Sequence, residues 1–165
     1  MRGRELHRAA QLSSWLVVVA SGCAMALAGS SVSVATAAPA AGTARTVSLN
    51  EAGSSRLTSK NGFTLNERGT ASGTITGTLY VHLHLVSSTK VTAEVNIYPR
   101  DGSLTGQGSA AYQVNGGAAT FSGTLAITRG SGKYSRARAA RLLFTGSIER
   151  RNDAVTVRLS GPLSL

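Results

Sequence analysis

The chain carries one cysteine and one tryptophan in 165 residues, three prolines, eight aromatic rings and seven acidic side chains. A lone cysteine excludes an internal disulfide framework and a cysteine-rich zinc site. Three prolines without a Gly-X-Y period exclude a collagen-like chain, and 42% apolar with 15% charged residues is too apolar for a disordered tail. The scarcity of acid is matched by 17 Lys and Arg, which leaves a net charge of +10. Length and composition together describe one small globular domain.

The N-terminus reads as an address. Arg2, Arg4 and Arg8 form a positive region, and Trp15 to Ala28 is a 14-residue uncharged stretch, short of the roughly 20 residues of a membrane-spanning helix. Ala35-Thr36-Ala37 offers an A-x-A cleavage site, with Ala38-Pro39-Ala40 as a second choice, so residues 1–37 are expected to be a signal peptide of the general secretory route. A secreted, extracellular protein starting at Ala38 follows. The alternative is a lipoprotein anchored at Cys23, within the lipobox-like Val19-Ala20-Ser21-Gly22-Cys23, although cutting there would leave a very short apolar region. After Ala37 the chain has 128 residues, no cysteine, fourteen basic and six acidic groups, and a net charge of +8. Residues 38–45 are expected to be a flexible segment before a single domain at 46–165.

That domain reads as all β. From Thr74 to Val86 the apolar set Ile75, Leu79, Val81, Leu83 and Leu85 alternates with Thr74, Thr76, Thr78, Tyr80, His82 and His84, the period of a half-buried strand. Such a strand would exceed roughly 40 Å, so a bend at Gly77 is expected. Similar alternation runs through Val91–Ile97, Leu104–Val114, Ala119–Ile127, Leu142–Ile148 and Val155–Leu163. Turn residues separate the runs at Ser87-Ser88-Thr89, Pro99–Gly102, Asn115-Gly116-Gly117, Arg129–Gly132 and Arg150–Asp153. The less regular stretch Thr46 to Glu67 supplies one or two more strands. The expected fold is an antiparallel meander closing into a seven- or eight-stranded barrel, with a two-sheet sandwich as the alternative. Glycines on the apolar face, at Gly77, Gly106, Gly108, Gly123 and Gly146, favour the barrel, because a missing side chain lets a sheet coil tightly.

Three stretches carry a resemblance: Leu65–Thr74, Asn96-Ile97-Tyr98-Pro99 and Phe121–Tyr134. They resemble a family of small, uncharacterised secreted β proteins of high-GC Gram-positive bacteria, across most of the mature chain. More remotely, Gly130-Ser131-Gly132-Lys133-Tyr134-Ser135-Arg136-Ala137-Arg138 is similar to the glycine-rich strand-to-strand segment of the allene oxide cyclase and dirigent barrels. There the alanine is usually followed by Arg-Gly or Ser-Gly, and here Arg138-Ala139-Ala140 stands instead. The resemblance implies a barrel and transfers no active-site residue.

Candidate sites are few. His82, His84 and Glu94 would meet across a hairpin turning through Ser87 to Lys90, and two imidazoles with a carboxylate could hold a divalent metal. The plainer reading is a solvated outer sheet face, so no metal or other cofactor is expected. Arg129, Lys133, Arg136, Arg138, Arg141, Arg150, Arg151 and Arg158, against Glu149 and Asp153, form a basic patch suited to polyanions such as nucleic acid, wall polymers or anionic lipid headgroups. Tyr134 and Phe144 are its only rings, too few for a base-stacking platform, so sequence-specific nucleic-acid binding is not expected. Gly130-Ser131-Gly132-Lys133 lacks the earlier glycine, the following Ser/Thr and the helix of a phosphate loop. No Gly-x-Ser-x-Gly elbow is present, and among Glu51, Glu67, Glu94, Asp101, Glu149 and Asp153 nothing selects a catalytic pair.

The leading expectation is a non-catalytic secreted barrel, a monomer or small homo-oligomer, that binds a small apolar molecule or an anionic cell-surface polymer. The first alternative is a cyclase- or dirigent-like enzyme steering a reactive intermediate in a lumenal cavity of about 300 Å³ or more. The second is an outer-membrane barrel, suggested by the terminal alternation Val155, Val157, Leu159, Gly161, Leu163 and Leu165.

Overall fold

The structure, a computed structural model, describes residues 45–165. The signal-peptide reading, the Cys23 alternative and nearly all of the 38–45 segment fall outside the described residues. Eight strands follow one another: β1 (Thr46–Asn61), β2 (Thr64–Gly73), β3 (Gly77–Ser87), β4 (Lys90–Tyr98), β5 (Gly102–Asn115), β6 (Ala118–Gly132), β7 (Ala139–Glu149) and β8 (Ala154–Ser164). Each pairs antiparallel with the next, and β8 pairs with β1, so the meander closes into a barrel. Closure leaves no strand edge free for pairing with another chain. No described helix is long and apolar enough to cross a membrane.

Alternation decides which side faces in. Leu79, Val81 and Leu83 of β3 are buried, while Tyr80 and His82 are half-exposed and His84 is exposed. The same period buries Val91, Ala93, Val95 and Ile97 of β4 and Val155, Val157, Leu159 and Leu163 of β8. A single apolar core therefore fills the lumen, with Phe121 and Phe144 tilted together at 4.9 Å between centroids. Glycine makes room for it: a Cβ on Gly106 would strike the Leu125 side chain, and one on Gly146 the ring of Phe121. Along the interior row Leu65, Leu83, Ala93, Gly108, Leu125 and Leu142, whose members pair across successive strands, two small residues on β4 and β5 stand between pairs of leucines.

Two boundaries differ from expectation. Gly77 does not bend a long strand; it begins β3, and Thr74–Thr76 form the turn after β2, with Ile75 folded back into the core. An apolar residue in a turn preserves the alternating pattern by eye although its backbone has left the ladder. Arg129–Gly132 is likewise strand rather than turn: β6 runs on to Gly132, whose φ of 56° opens the connection Lys133–Arg138.

The two ends of the barrel are built differently. At one end lie the N-terminus of β1, the C-terminus of β8 and the β2–β3, β4–β5 and β6–β7 connections. Ile75, Tyr134 and Ala137 are buried there and plug it. At the other end the β1–β2, β3–β4, β5–β6 and β7–β8 turns surround an opening lined by Leu65, Leu85, Tyr112 and Ile148, with Phe63 on the rim.

Candidate functional site

The residues of the expected basic patch separate. Arg129, Lys133, Arg136, Arg138 and Arg141 gather at the plugged end, on the last turns of β6, the connection after it and the start of β7. Arg150 and Arg151 lie at the opposite end, in the β7–β8 turn, and Arg158 on the outer wall of β8. From Arg141 near the start of β7 to Arg150 just past its end the chain runs roughly 30 Å along the barrel. The plugged end gains Arg45 and Arg100, which sequence spacing had not joined to the patch. It then holds seven exposed cations against one exposed acid, Asp101. Both ion pairs among the described residues lie at the other end, Lys60–Asp153 at 2.9 Å and Arg151–Glu149 at 3.8 Å. None of the plugged end's cations is ion-paired among the described residues, and of them Arg138 donates from Nη1 to the Ala137 carbonyl (2.7 Å). Their scaffold is firm: Lys133 N–H donates to the Asp101 carbonyl (2.9 Å), Ala137 N–H to the Tyr134 carbonyl (2.9 Å) and Arg138 N–H to the Ser164 carbonyl (2.9 Å).

The suggested metal ligands meet only in part. His82 stands opposite Glu94, as the hairpin predicts, and His84 opposite Thr92. Glu94 is already engaged, accepting from Asn96 Nδ2 and Gln107 Nε2 at 3.0 Å each, and these bonds hold its carboxyl below the usual carboxylate range. His82 Nδ1 lies 2.6 Å from Asn66 Oδ1 and His84 Nδ1 3.0 Å from Thr64 Oγ1. Among the described residues, no three His, Cys, Asp or Glu side chains are placed to share an ion. These residues form a hydrogen-bonded belt on the outer wall, flanked by Tyr80 and Tyr98 packed edge to face at 5.6 Å.

Two acids that nothing in the sequence singled out face the lumen. Glu51 is 6% and Glu67 1% exposed. Both occupy inward positions of their strands, β1 and β2, six pairing steps apart, so they sit at different heights in the barrel. Glu51 belongs to the plugged end, where Ile75 N–H donates to its Oε1 at 2.6 Å; burial raises its pKa and that bond opposes the rise. Glu67 shares its row with Val81, Val95, Gly106 and Ile127. Burial among these apolar neighbours pushes its carboxyl up to about 7, and the negative charge of Asp153 at the open end pushes the same way. The Ser55 hydroxyl moderates the rise but donates to the Val155 carbonyl (3.2 Å), and neither oxygen of Glu67 has a hydrogen-bond partner. The signal for both was present in the sequence: each acid stands where the period-two pattern calls for an apolar residue.

The terminal apolar alternation of β8 points into the lumen while Thr156 and Arg158 point out. An outer-membrane barrel carries its apolar row on the outside, so this geometry runs opposite to the lipid-facing arrangement. Comparison with family models, with curated proteins and with solved structures finds no match to this chain.

Proposed function

We propose that this is a secreted, non-catalytic β-barrel protein that binds an anionic cell-surface polymer through its plugged, basic end. One observation carries the reading: seven exposed cations surround that end with a single exposed acid and no ion pair among them. Unpaired charge of one sign on a rigid rim attracts a polyanion from a distance and holds it by releasing its counterions. The shortage of rings at this end suits a phosphate- or sulfate-bearing chain better than stacked bases. Apolar packing of the lumen favours a surface function over the alternative of an enzyme steering an intermediate inside the barrel, since that chemistry needs an interior chamber.

The test is the salt dependence of binding to poly(glycerol phosphate), measured with the whole chain. Exchanging Lys133, Arg136 and Arg138 for Gln is expected to flatten the slope of log affinity against log salt by about two to three, one contact per lost cation. Exchanging Arg150 and Arg151 for Gln is expected to leave it within about half a contact. Equal losses from both variants, or binding indifferent to salt, would sink the reading.

A further inference from the structure

Apolar side chains left in water gather at the open end. Five large ones are exposed among the described residues, and three of them belong to this rim: Phe63 at 73%, Val86 at 53% and Val114 at 48%. Phe63 stands at the tip of the β1–β2 hairpin, whose turn is closed by the Asn61–Thr64 pair and cornered by Gly62 at a φ of 57°. Val86 comes just before the Ser88-Thr89 turn, and Val114 just before the Gly116-Gly117 turn. Backbone bonds stitch these turns into one rim. Leu85 N–H donates to the Phe63 carbonyl (3.0 Å), Tyr112 N–H to the Thr89 carbonyl (2.8 Å) and Arg150 N–H to the Gly117 carbonyl (3.0 Å). Exposed apolar tips add nothing to the core, and several grouped on one firm rim mark a contact surface.

Beside each apolar tip stands a cation. Lys60 lies three residues before Phe63, and Lys90 follows Val86 across its turn. The Arg150 side chain reaches the Val114 hairpin, where its Nη1 donates to the Gly116 carbonyl at 3.2 Å. With Arg151, the rim holds four exposed cations against Glu149 and Asp153, a net of +2. Asp153 holds Lys60 and Glu149 lies against Arg151, which leaves Lys90 and Arg150 without an ion pair among the described residues.

This mixture selects the partner. The centre of a protein interface is poor in charge, whereas here every apolar tip has a cation next to it. A second copy docked through the same rim would set two surfaces of like charge against each other. A small molecule in the cleft of about 330 Å³ would find little apolar area to cover, since its floor of Leu65, Tyr112 and Ile148 is already buried. A lipid interface suits both features at once, because it takes apolar groups to a shallow depth and surrounds them with negative headgroups.

We infer that the open end docks on an anionic lipid surface. Phe63, Val86 and Val114 enter the boundary between headgroups and acyl chains, and Lys60, Lys90 and Arg150 meet the headgroup phosphates. The barrel wall stays in water, and the basic end points away from the membrane. The two contacts use opposite poles, so either can fail without the other.

The protein to test is residues 38–165, because the barrel closes within Thr46–Ser164 and the apolar stretch Trp15–Ala28 would enter lipid by itself. The probe is a vesicle of phosphatidylglycerol and phosphatidylcholine in equal parts, with pure phosphatidylcholine as the uncharged control. Cosedimentation gives affinity. Phe63→Trp supplies the one indole of residues 38–165, and its quenching by bromine on the acyl chains gives depth. The anionic vesicle is expected to bind at least about tenfold more tightly than the neutral one. Phe63→Ala is expected to weaken that binding about tenfold, and Lys90→Gln and Arg150→Gln about fivefold each. Leu143→Ser, which alters an exposed leucine on the wall of β7, is expected to stay within about twofold. Phe63 sits in water, so its truncation leaves the fold in place, and the amide spectrum checks that directly. Four results would each overturn the inference: no binding, equal binding to both vesicles, an affinity unmoved by Phe63→Ala, or an indole unquenched on bound vesicles. A dimer that Phe63→Ala dissolves would give the rim to a second copy and overturn it as well.

Discussion

The two ends of the barrel solve opposite problems with the same material. At the basic end Tyr134, Ile75 and Ala137 close the lumen, and the buried acid there, Glu51, has Ile75 N–H to bond. At the other end the lumen stays open, the exposed ring is Phe63, and the buried acid, Glu67, has no partner. Ionic pairing is reversed: the open end neutralises Lys60 with Asp153 and Arg151 with Glu149, while the closed end leaves its cations unpaired. A barrel of one continuous core therefore presents a rigid charged rim at one pole and an open cleft at the other.

Truncating the ring at each pole is the largest test of that contrast. Tyr134→Ala empties a packed plug and is expected to lower unfolding free energy by about 3 kcal/mol or more, whereas Phe63→Ala is expected to stay within about 0.5 kcal/mol. Denaturant melts of both variants check it, and equal losses would show that the open rim is also packed.

Next in size is the sign of the two acids. Glu67→Leu removes an unpartnered buried carboxyl and is expected to raise stability above pH 7 by up to about 3 kcal/mol, the equivalent of its shift from 4.5 to about 7. Glu51→Leu orphans Ile75 N–H, and the expected change is a loss of about 1–3 kcal/mol after the relief of burying the acid is set aside. The pH dependence follows with its sign. Glu67 binds its proton more tightly folded than unfolded, so its contribution is greatest below about 4.5, declines as pH rises towards 7 and is flat above it. Glu51, also raised, adds to the same decline; Glu94, lowered by its hydrogen bonds, weakens the fold only on further acidification. Equilibrium unfolding from pH 4 to pH 8 is expected to show this fall, with most of it absent in Glu67→Leu.

The smallest effect concerns Asp153. Asp153→Asn loses a half-exposed ion pair with Lys60, worth less than about 1 kcal/mol, and removes a repulsion that raises the Glu67 pKa. The Glu67 titration, followed by carbon-detected NMR, is expected to move down. No movement would show that the charge of Asp153 does not reach Glu67.

Most of the architecture was legible in the residues. Period-two alternation located six strands to within a few residues, and the less regular stretch Thr46 to Glu67 resolved into β1 and the first four residues of β2. Where the reading slipped, at Thr74–Thr76 and Arg129–Gly132, side-chain pattern and backbone pairing diverged: Ile75 is buried from a turn, and Gly130 and Gly132 lie in a ladder that their composition disguises. The basic patch was read from proximity in sequence, yet a strand carries its two ends to opposite poles, so Arg141 and Arg150 part while Arg45 and Arg100 join the distant cluster. The histidine pair with Glu94 was correctly placed on one face, but its engagement with Asn66 and Gln107 depends on the strands that flank the hairpin, β2 and β5, and Asn96 binds Glu94 from the same strand.

By itself, then, the sequence determined the strand period, the face of each strand that is apolar, the glycine positions that permit tight curvature, and the excess of positive charge, because these are local properties of residue order. Only the tertiary structure decided that Glu51 has a donor and Glu67 has none, that cations from five segments share one rim, and that one pole is plugged and the other open. Those outcomes depend on which strands become neighbours when β8 returns to β1, and closure of the barrel sets them all at once.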